Sequence, residues 1–211
     1  MHRITLTIIL LFSATAATTV DAAWYQQTDG TIVDPIQTRY GSDLPYSGNN
    51  LEPGADLSGA FLNDADLAEA FLTDADLSNA DLLGADLAGA ILTDADLTSA
   101  DLTGADLSYA VLHDADLNGA VLHGADLWYA DLTNADLSGS DFGNVYYYDD
   151  ATWTDAFYYT NNEPTWHSGM DAAWRTSEGI LALAPTSAVP EPSTLLLVLL
   201  GLTLVPRRRR R

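Results

Sequence analysis

The chain has 211 residues, a formal net charge of −22 and no cysteine. Its eight basic residues are all arginine, and five of them form the terminal run Arg207–Arg211. An acidic body of this kind is repelled by nucleic acid and by anionic lipid. The missing thiols exclude disulfides and thiolate metal sites.

Residues 1–22 read as a secretory signal peptide. His2 and Arg3 form a short polar start, Ile4 to Phe12 is apolar, and Val20-Asp21-Ala22 gives small residues at the cleavage spacing. The apolar run is too short to span a bilayer, so Ala23 is the expected mature start. Signal peptidase is the implied processing partner. Residues 23–54 form a lead-in. Trp24, Tyr25, Thr31-Ile32-Val33 and Tyr40 give it strand character, and Pro35, Gly41 and Pro45 interrupt it. Ser47 to Gly54 is a turn cluster. A solenoid end must be covered, and this segment is expected to supply part of an N-terminal cap.

Residues 55–144 repeat every five positions. Eighteen units of the form A-D-L-x-x bring leucine back from Leu57 to Leu137, with Phe142 closing the series. A period of five fits no simple element. A helix would turn each leucine ~500° from the last and smear leucine around the cylinder. A continuous strand would send successive leucines to opposite faces, because five is odd. A chain that turns a corner in every unit keeps leucine and alanine inside. Leu57, Leu77, Leu97, Leu117 and Leu137 are then core residues with the other repeat leucines, each contributing ~1.5–3 kcal/mol on burial.

Over this whole span the sequence resembles the pentapeptide-repeat family. The resemblance implies an all-β fold, a right-handed quadrilateral parallel β-helix with four units per coil. Coils stacked ~4.8 Å apart would make a shaft about 20 Å long. Residues twenty apart become vertical neighbours, which sorts the position before each leucine into sides. Asp56, Asp76, Asp96, Asp116 and Asp136 share one side. Phe61, Asp81, Asp101, Val121 and Asp141 share a second, and Asp66, Asp86, Asp106 and Asp126 a third. Phe71, Ile91, Val111 and Asp131 form the fourth. Asp74, Asp94 and Asp114 fall at corners. No basic residue lies between 55 and 144. These like charges repel; the favoured reading is a solvated acidic surface that keeps a secreted protein soluble, with weak cation association along the columns as the alternative.

Residues 145–184 abandon the repeat and concentrate aromatics: Tyr146–Tyr148, Trp153, Phe157–Tyr159, Trp166 and Trp174. Tyr148-Asp149…Thr152-Trp153 and Trp166-His167-Ser168-Gly169-Met170-Asp171 resemble a variant of the terminal segment of many pentapeptide-repeat chains. An aromatic C-terminal cap is expected, with a short helix over Met170–Leu183. Residues 185–211 hold a linker and a tail. The motif at 189–194, with Pro190, Glu191 and Pro192 at its centre, precedes an apolar run at 195–205 and then the arginines. This tail resembles the PEP-CTERM sorting signal. The resemblance implies transient inner-membrane anchoring, processing by an exosortase, and release to the surface or extracellular matrix of a Gram-negative bacterium. The arginines would remain on the cytoplasmic side.

The chemistry-bearing residues are few. His113 and His123 stand half a coil apart, on opposite sides, and share no ion. The Asp-Ala-Asp units at 64–66, 74–76, 94–96 and 114–116 lack the glycine and distal glutamate of a calcium loop. Paired carboxylates abound, but a convex shaft offers no cleft and no reason for a raised pKa. No nucleophile elbow or phosphate loop occurs. The expectation is no catalytic residue, no cofactor, no dedicated metal site and no enzyme. Tyr109 and Tyr129 should stack at one corner beside Trp128, as a sugar-stacking strip or as rings that pack the cap onto the last coil, the latter favoured. Phe71, Ile91 and Val111 form an apolar stripe suited to a homo-oligomer contact. The function these features favour is a non-catalytic exported surface or matrix protein, a rigid acidic rod in the envelope or biofilm that meets polysaccharide or other proteins. The alternatives are a carbohydrate-binding module and an acidic DNA mimic.

Overall fold

The computed structural model describes residues 51–185 and two short strands ahead of them. Those strands, β1 (Tyr25–Gln26) and β2 (Ile32–Val33), pair antiparallel. They realise the strand character expected around Tyr25 and Ile32-Val33. The signal segment 1–22 and the sorting tail at 186–211, with its apolar run and arginines, lie outside the described residues. Among the described residues, no helix is long and apolar enough to cross a membrane.

From Asp56 onward the chain pairs with itself in parallel, always twenty residues ahead: Asp56 with Asp76, Phe61 with Asp81, Asp66 with Asp86, Phe71 with Ile91. This register continues to Asp126, which pairs with Tyr146. Four pentapeptides therefore make one coil, and the four sides have the composition expected. Every leucine at the five-residue repeat position, from Leu57 to Leu137, is buried, as is Phe142. The alanines at the repeat position, from Ala60 to Ala135, are buried with them. Only a methyl group fits beside each corner, so the core is filled by alternating branched and small side chains.

The backbone of one unit shows why the corner forms. In the unit beginning at Ala75, the Leu77 N–H donates to Asp96 O of the next coil at 2.7 Å. Asn79 N–H donates to Thr98 O at 2.8 Å, and Ala80 N–H closes a turn onto Leu77 O at 3.0 Å. The residue before that alanine has positive φ, 58° at Asn79. A turn closed in this way, with φ positive only at its third residue, is type II. Glycine fills that place at Gly59, Gly84, Gly89, Gly104, Gly119, Gly124 and Gly139. Elsewhere the place falls mostly to Asp or Asn, the non-glycine residues that tolerate this conformation best.

The remaining N–H of the unit belongs to the residue after leucine, and here the aspartates act. Asp76 Oδ1 accepts from Ser78 N at 3.0 Å, Asp96 from Thr98 N at 2.9 Å and Asp106 from Ser108 N at 3.0 Å. The same bond recurs at Asp116, Asp126 and Asp136. The outward aspartate is therefore a corner fitting as well as a surface charge. Units with Phe61, Phe71, Ile91, Val111 or Val121 in that place have no carboxylate to supply it.

The pentapeptide units end at residue 144, as expected, but the pairing continues into the cap. The parallel ladder runs on, with Asp131 paired to Thr152, Asp136 to Phe157 and Asp141 to Thr165. The spacing widens from twenty to twenty-four as loops enter the coil. Strand β3 (Phe157–Tyr159) then pairs in parallel with β4 (Leu181–Leu183). Between them lies α1 (Ala172–Ser177), shorter than the expected helix over Met170–Leu183. Asp171 caps its start by accepting from Trp174 N at 2.8 Å. Gly179, at φ 85°, ends it, and Ile180 N–H reaches back to Arg175 O at 3.0 Å. This Schellman closure leaves the chain extended at Leu181, where β4 begins.

The cap core is aromatic. Phe142 stacks on Trp166 with centroids 5.5 Å apart and meets Trp153 edge-on at 5.6 Å. Trp174 lies edge-on to Trp153 at 5.8 Å and to Tyr148 at 5.1 Å. Trp153 is buried, and its indole N–H donates to Tyr148 O at 2.8 Å. Arg175 lies over the Trp166 ring at 4.8 Å and donates to Met170 O at 2.8 Å. Its second nitrogen is 3.5 Å from Glu163.

Candidate functional site

The corner between the third and fourth sides changes character along the shaft. Its two residues are Ala68-Glu69, then Ala88-Gly89, then Ser108-Tyr109, then Trp128-Tyr129. Tyr109 and Tyr129 stack at 5.5 Å with ring planes 26° apart. Trp128 meets Tyr109 at 5.1 Å and Tyr129 at 5.2 Å. Tyr147 extends the group, 6.4 Å from Trp128. All four stand in solvent, with relative exposures of 52% for Tyr109, 41% for Trp128, 54% for Tyr129 and 55% for Tyr147. The favoured expectation, that Trp128 and the two tyrosines pack the cap onto the last coil, does not hold. A different set, Phe142, Tyr148, Trp153, Trp166 and Trp174, does that work.

The cluster is held by the coil itself. Asp126 Oδ1 accepts from Trp128 N at 2.9 Å and fixes the indole's backbone. Tyr109 and Tyr129 occupy the left-handed corner position at φ 57° and 55°, a conformation that costs a non-glycine residue roughly 1–2 kcal/mol. Sequence reading missed Tyr147. Its signal was the run Tyr146–Tyr148, because three successive side chains cannot all point into a narrow column.

The other candidates are placed as follows. Phe71, Ile91 and Val111 form one continuous ladder, which Asp131 ends, and Phe71 is exposed. Phe61 and Leu83, on the second side, are exposed as well. His113 Nδ1 pairs with Asp114, while His123 Nε2 is 3.1 Å from Asn144 Nδ2. The two histidines belong to different ladders. His167 lies against the Tyr148 ring and accepts from Gly169 N at 3.1 Å. Among the described residues, no three His, Asp or Glu side chains converge where a metal ion could be held.

The acidic columns behave unequally. At Asp56, in the first coil, hydrogen bonds from the Ser58 hydroxyl and backbone hold the carboxyl below its ordinary value. At Asp116, burial between coils pushes the carboxyl up, and repulsion from Asp136 and Asp96 adds to it. Its side chain still meets solvent, so the effect is small. The column is nonetheless a stack of interacting charges.

These repeats match a known family model, described as pentapeptide repeats in eight copies, over residues 54–82, 72–108, 80–119 and 105–144. A pentapeptide repeat protein of the Arabidopsis thaliana thylakoid lumen is 30% identical, covering 59% of this chain and 88% of its own (TM-score 0.25). The chain belongs to the pentapeptide-repeat family. A pentapeptide repeat protein of the cyanobacterium Cyanothece 51142 is 29% identical, covering 55% of this chain and 90% of its own (TM-score 0.49). A third, HetL of the cyanobacterium Nostoc, is described as involved in regulating heterocyst differentiation. It is 33% identical and covers 49% of this chain and 60% of its own (TM-score 0.25). No curated protein matches the chain. Pentapeptide-repeat proteins form right-handed quadrilateral β-helices, and the twenty-residue register here has that four-sided plan.

Proposed function

We propose that this pentapeptide-repeat protein is a non-catalytic, exported surface or matrix protein, a rigid acidic rod that acts through its exterior. One observation carries the reading. The column inside the coils is filled by leucine and alanine, which leaves the outer surface as the working part. On that surface the differentiated feature is the exposed ring cluster at Tyr109, Trp128, Tyr129 and Tyr147. Export rests on the signal-like residues 1–22 and on the PEP-CTERM-like tail around Pro190, Glu191 and Pro192. Signal peptidase and an exosortase are its processing partners, with transient residence in the inner membrane between the two cuts.

Cell fractionation with sequencing of the mature termini tests this. The expected product begins at Ala23, ends near Pro190–Pro192 and lies in the surface or matrix fraction. A chain that stays in the cytoplasm with both ends intact would refute export and return the acidic shaft to the class of nucleic-acid mimics.

A further inference from the structure

We infer that the ring cluster at the corner between the third and fourth sides is a stacking platform for a neutral polysaccharide. This deepens the reading of a rod that acts through its surface, and it rests on that reading.

The geometry separates a platform from a cage. Rings that enclose a cation stand apart around a gap. Here Tyr109, Trp128 and Tyr129 pack against one another at centroid distances of 5.1 to 5.5 Å, Tyr129 stacked on Tyr109 and Trp128 edge-on to it, and form one exposed aromatic cluster with no gap between the rings. A joined aromatic surface suits a ligand with a broad, weakly polar face, and the C–H face of a pyranose is such a surface. The ring of Tyr129 sits one coil above that of Tyr109, a rise of ~4.8 Å. The same corner continues down the shaft as Ala88-Gly89 and then Ala68-Glu69, where the Glu69 side chain lies against Gly89.

Charge narrows the ligand further. Asp126 and Asp131 flank Trp128 and Tyr129 along the chain, and neither Arg nor Lys occurs between residues 55 and 144. Carboxylates accept hydrogen bonds from sugar hydroxyls but repel uronates, sulfates and phosphates. Nucleobases would also stack on such rings, but their phosphates bring the same repulsion. The backbone adds an independent indication. Tyr109 and Tyr129 stand in a left-handed corner position that glycine takes without strain in other coils, as at Gly89. Two aromatic rings are thus kept in solvent at a site where the fold alone favours glycine.

That last point gives a decisive variant. Tyr129→Gly removes a ring while suiting the backbone, so stability and binding should part. The experiment titrates the full chain with cellohexaose and with laminarihexaose, following tryptophan fluorescence, and melts each variant by circular dichroism. Binding of at least one glucan is expected. Trp128→Ala and Tyr129→Gly should each weaken it about tenfold or more, and Tyr129→Gly should melt no lower than the wild type. A polygalacturonate oligomer should bind more weakly than the neutral chains.

Three results would overturn the inference. One is no binding of either glucan, and another is unchanged binding in both variants. The third is an oligomer of the wild type that dissociates on Trp128→Ala, which assigns the rings to self-association. A chain found at the cell surface that binds neither glucan sinks this inference alone. A cytoplasmic chain sinks the export reading whatever the titration gives.

Discussion

Asp116 and Asp56 have the same residue type at the same place in the unit and opposite electrostatics. Asp116 has a folded pKa above its unfolded value of ~3.9. The stability it contributes is therefore full below that unfolded value and is lost as pH rises through the folded one. Asp116→Asn keeps an oxygen for the Asn118 N–H and removes the charge. It should raise the melting temperature at pH 7 by a fraction of a kcal/mol equivalent after solvent screening, and the gain should vanish near pH 3. Asp56 has the reverse sign. Its contribution is present above the unfolded value and is lost as pH falls through the folded one. Asp96 tests the corner bond itself. Asp96→Ala strips the acceptor from Thr98 N and should cost about 1 kcal/mol in denaturant unfolding, whereas Asp96→Asn should cost little. Sequence reading saw these aspartates only as outward charge. It followed which residues fill the column and did not count backbone donors, so the bond from Asp76 to Ser78 was invisible to it. The left-handed corner was in principle legible, because glycine, asparagine and aspartate recur at 59, 79, 84, 89, 94 and 134.

At the scale of elements, the cap and the coils join through Ser138. Its side chain is buried, donates to Asp136 at 2.6 Å and accepts from Tyr159 N, in β3, at 3.0 Å. Ser138→Ala leaves that strand's N–H without its partner and should destabilise the chain by about 1–3 kcal/mol, read from chemical unfolding. The register of the shaft was legible through the family resemblance, which implies four units of five per coil, and every pair from Asp56 to Tyr146 obeys that spacing. The cap was legible only as composition. The aromatics of residues 145–184 announced a different region, but not that Phe157 would pair with Leu181 across an inserted helix. Loop lengths of that kind depend on which ring fits against Phe142, and no periodicity encodes it. The same limit explains the misassigned rings. Trp128 and Trp153 look alike in sequence, yet one is in solvent and the other is buried.

For the whole molecule, the net charge of −22 is carried largely as columns running along the shaft. Repulsion between charges on successive coils falls off as salt shortens the screening length to ~8 Å near 0.15 M. Raising NaCl from low ionic strength to that level should raise the melting temperature, and millimolar Ca²⁺ should do so more strongly. A melt that ignores both would show that the carboxylates have splayed beyond interaction. The candidate site follows the same logic at larger scale. The four-unit coil implied by the family resemblance placed Tyr109, Trp128 and Tyr129 on one corner, whereas their exposure depended on where the cap would lie.

The constant twenty-residue step has a further consequence. Excising residues 76–95 removes one full turn and rejoins identical geometry, so the product should fold as a shorter homologue with its rings intact. Excising residues 76–85 rotates everything beyond the cut by half a turn and sets Phe61, in place of Phe71, beneath Ile91. Unfolding midpoints of the two deletions should separate clearly, the first staying near the parent. Length in such a chain is a quantity that changes by whole rungs, which gives duplication and loss a route that leaves function at the far end untouched.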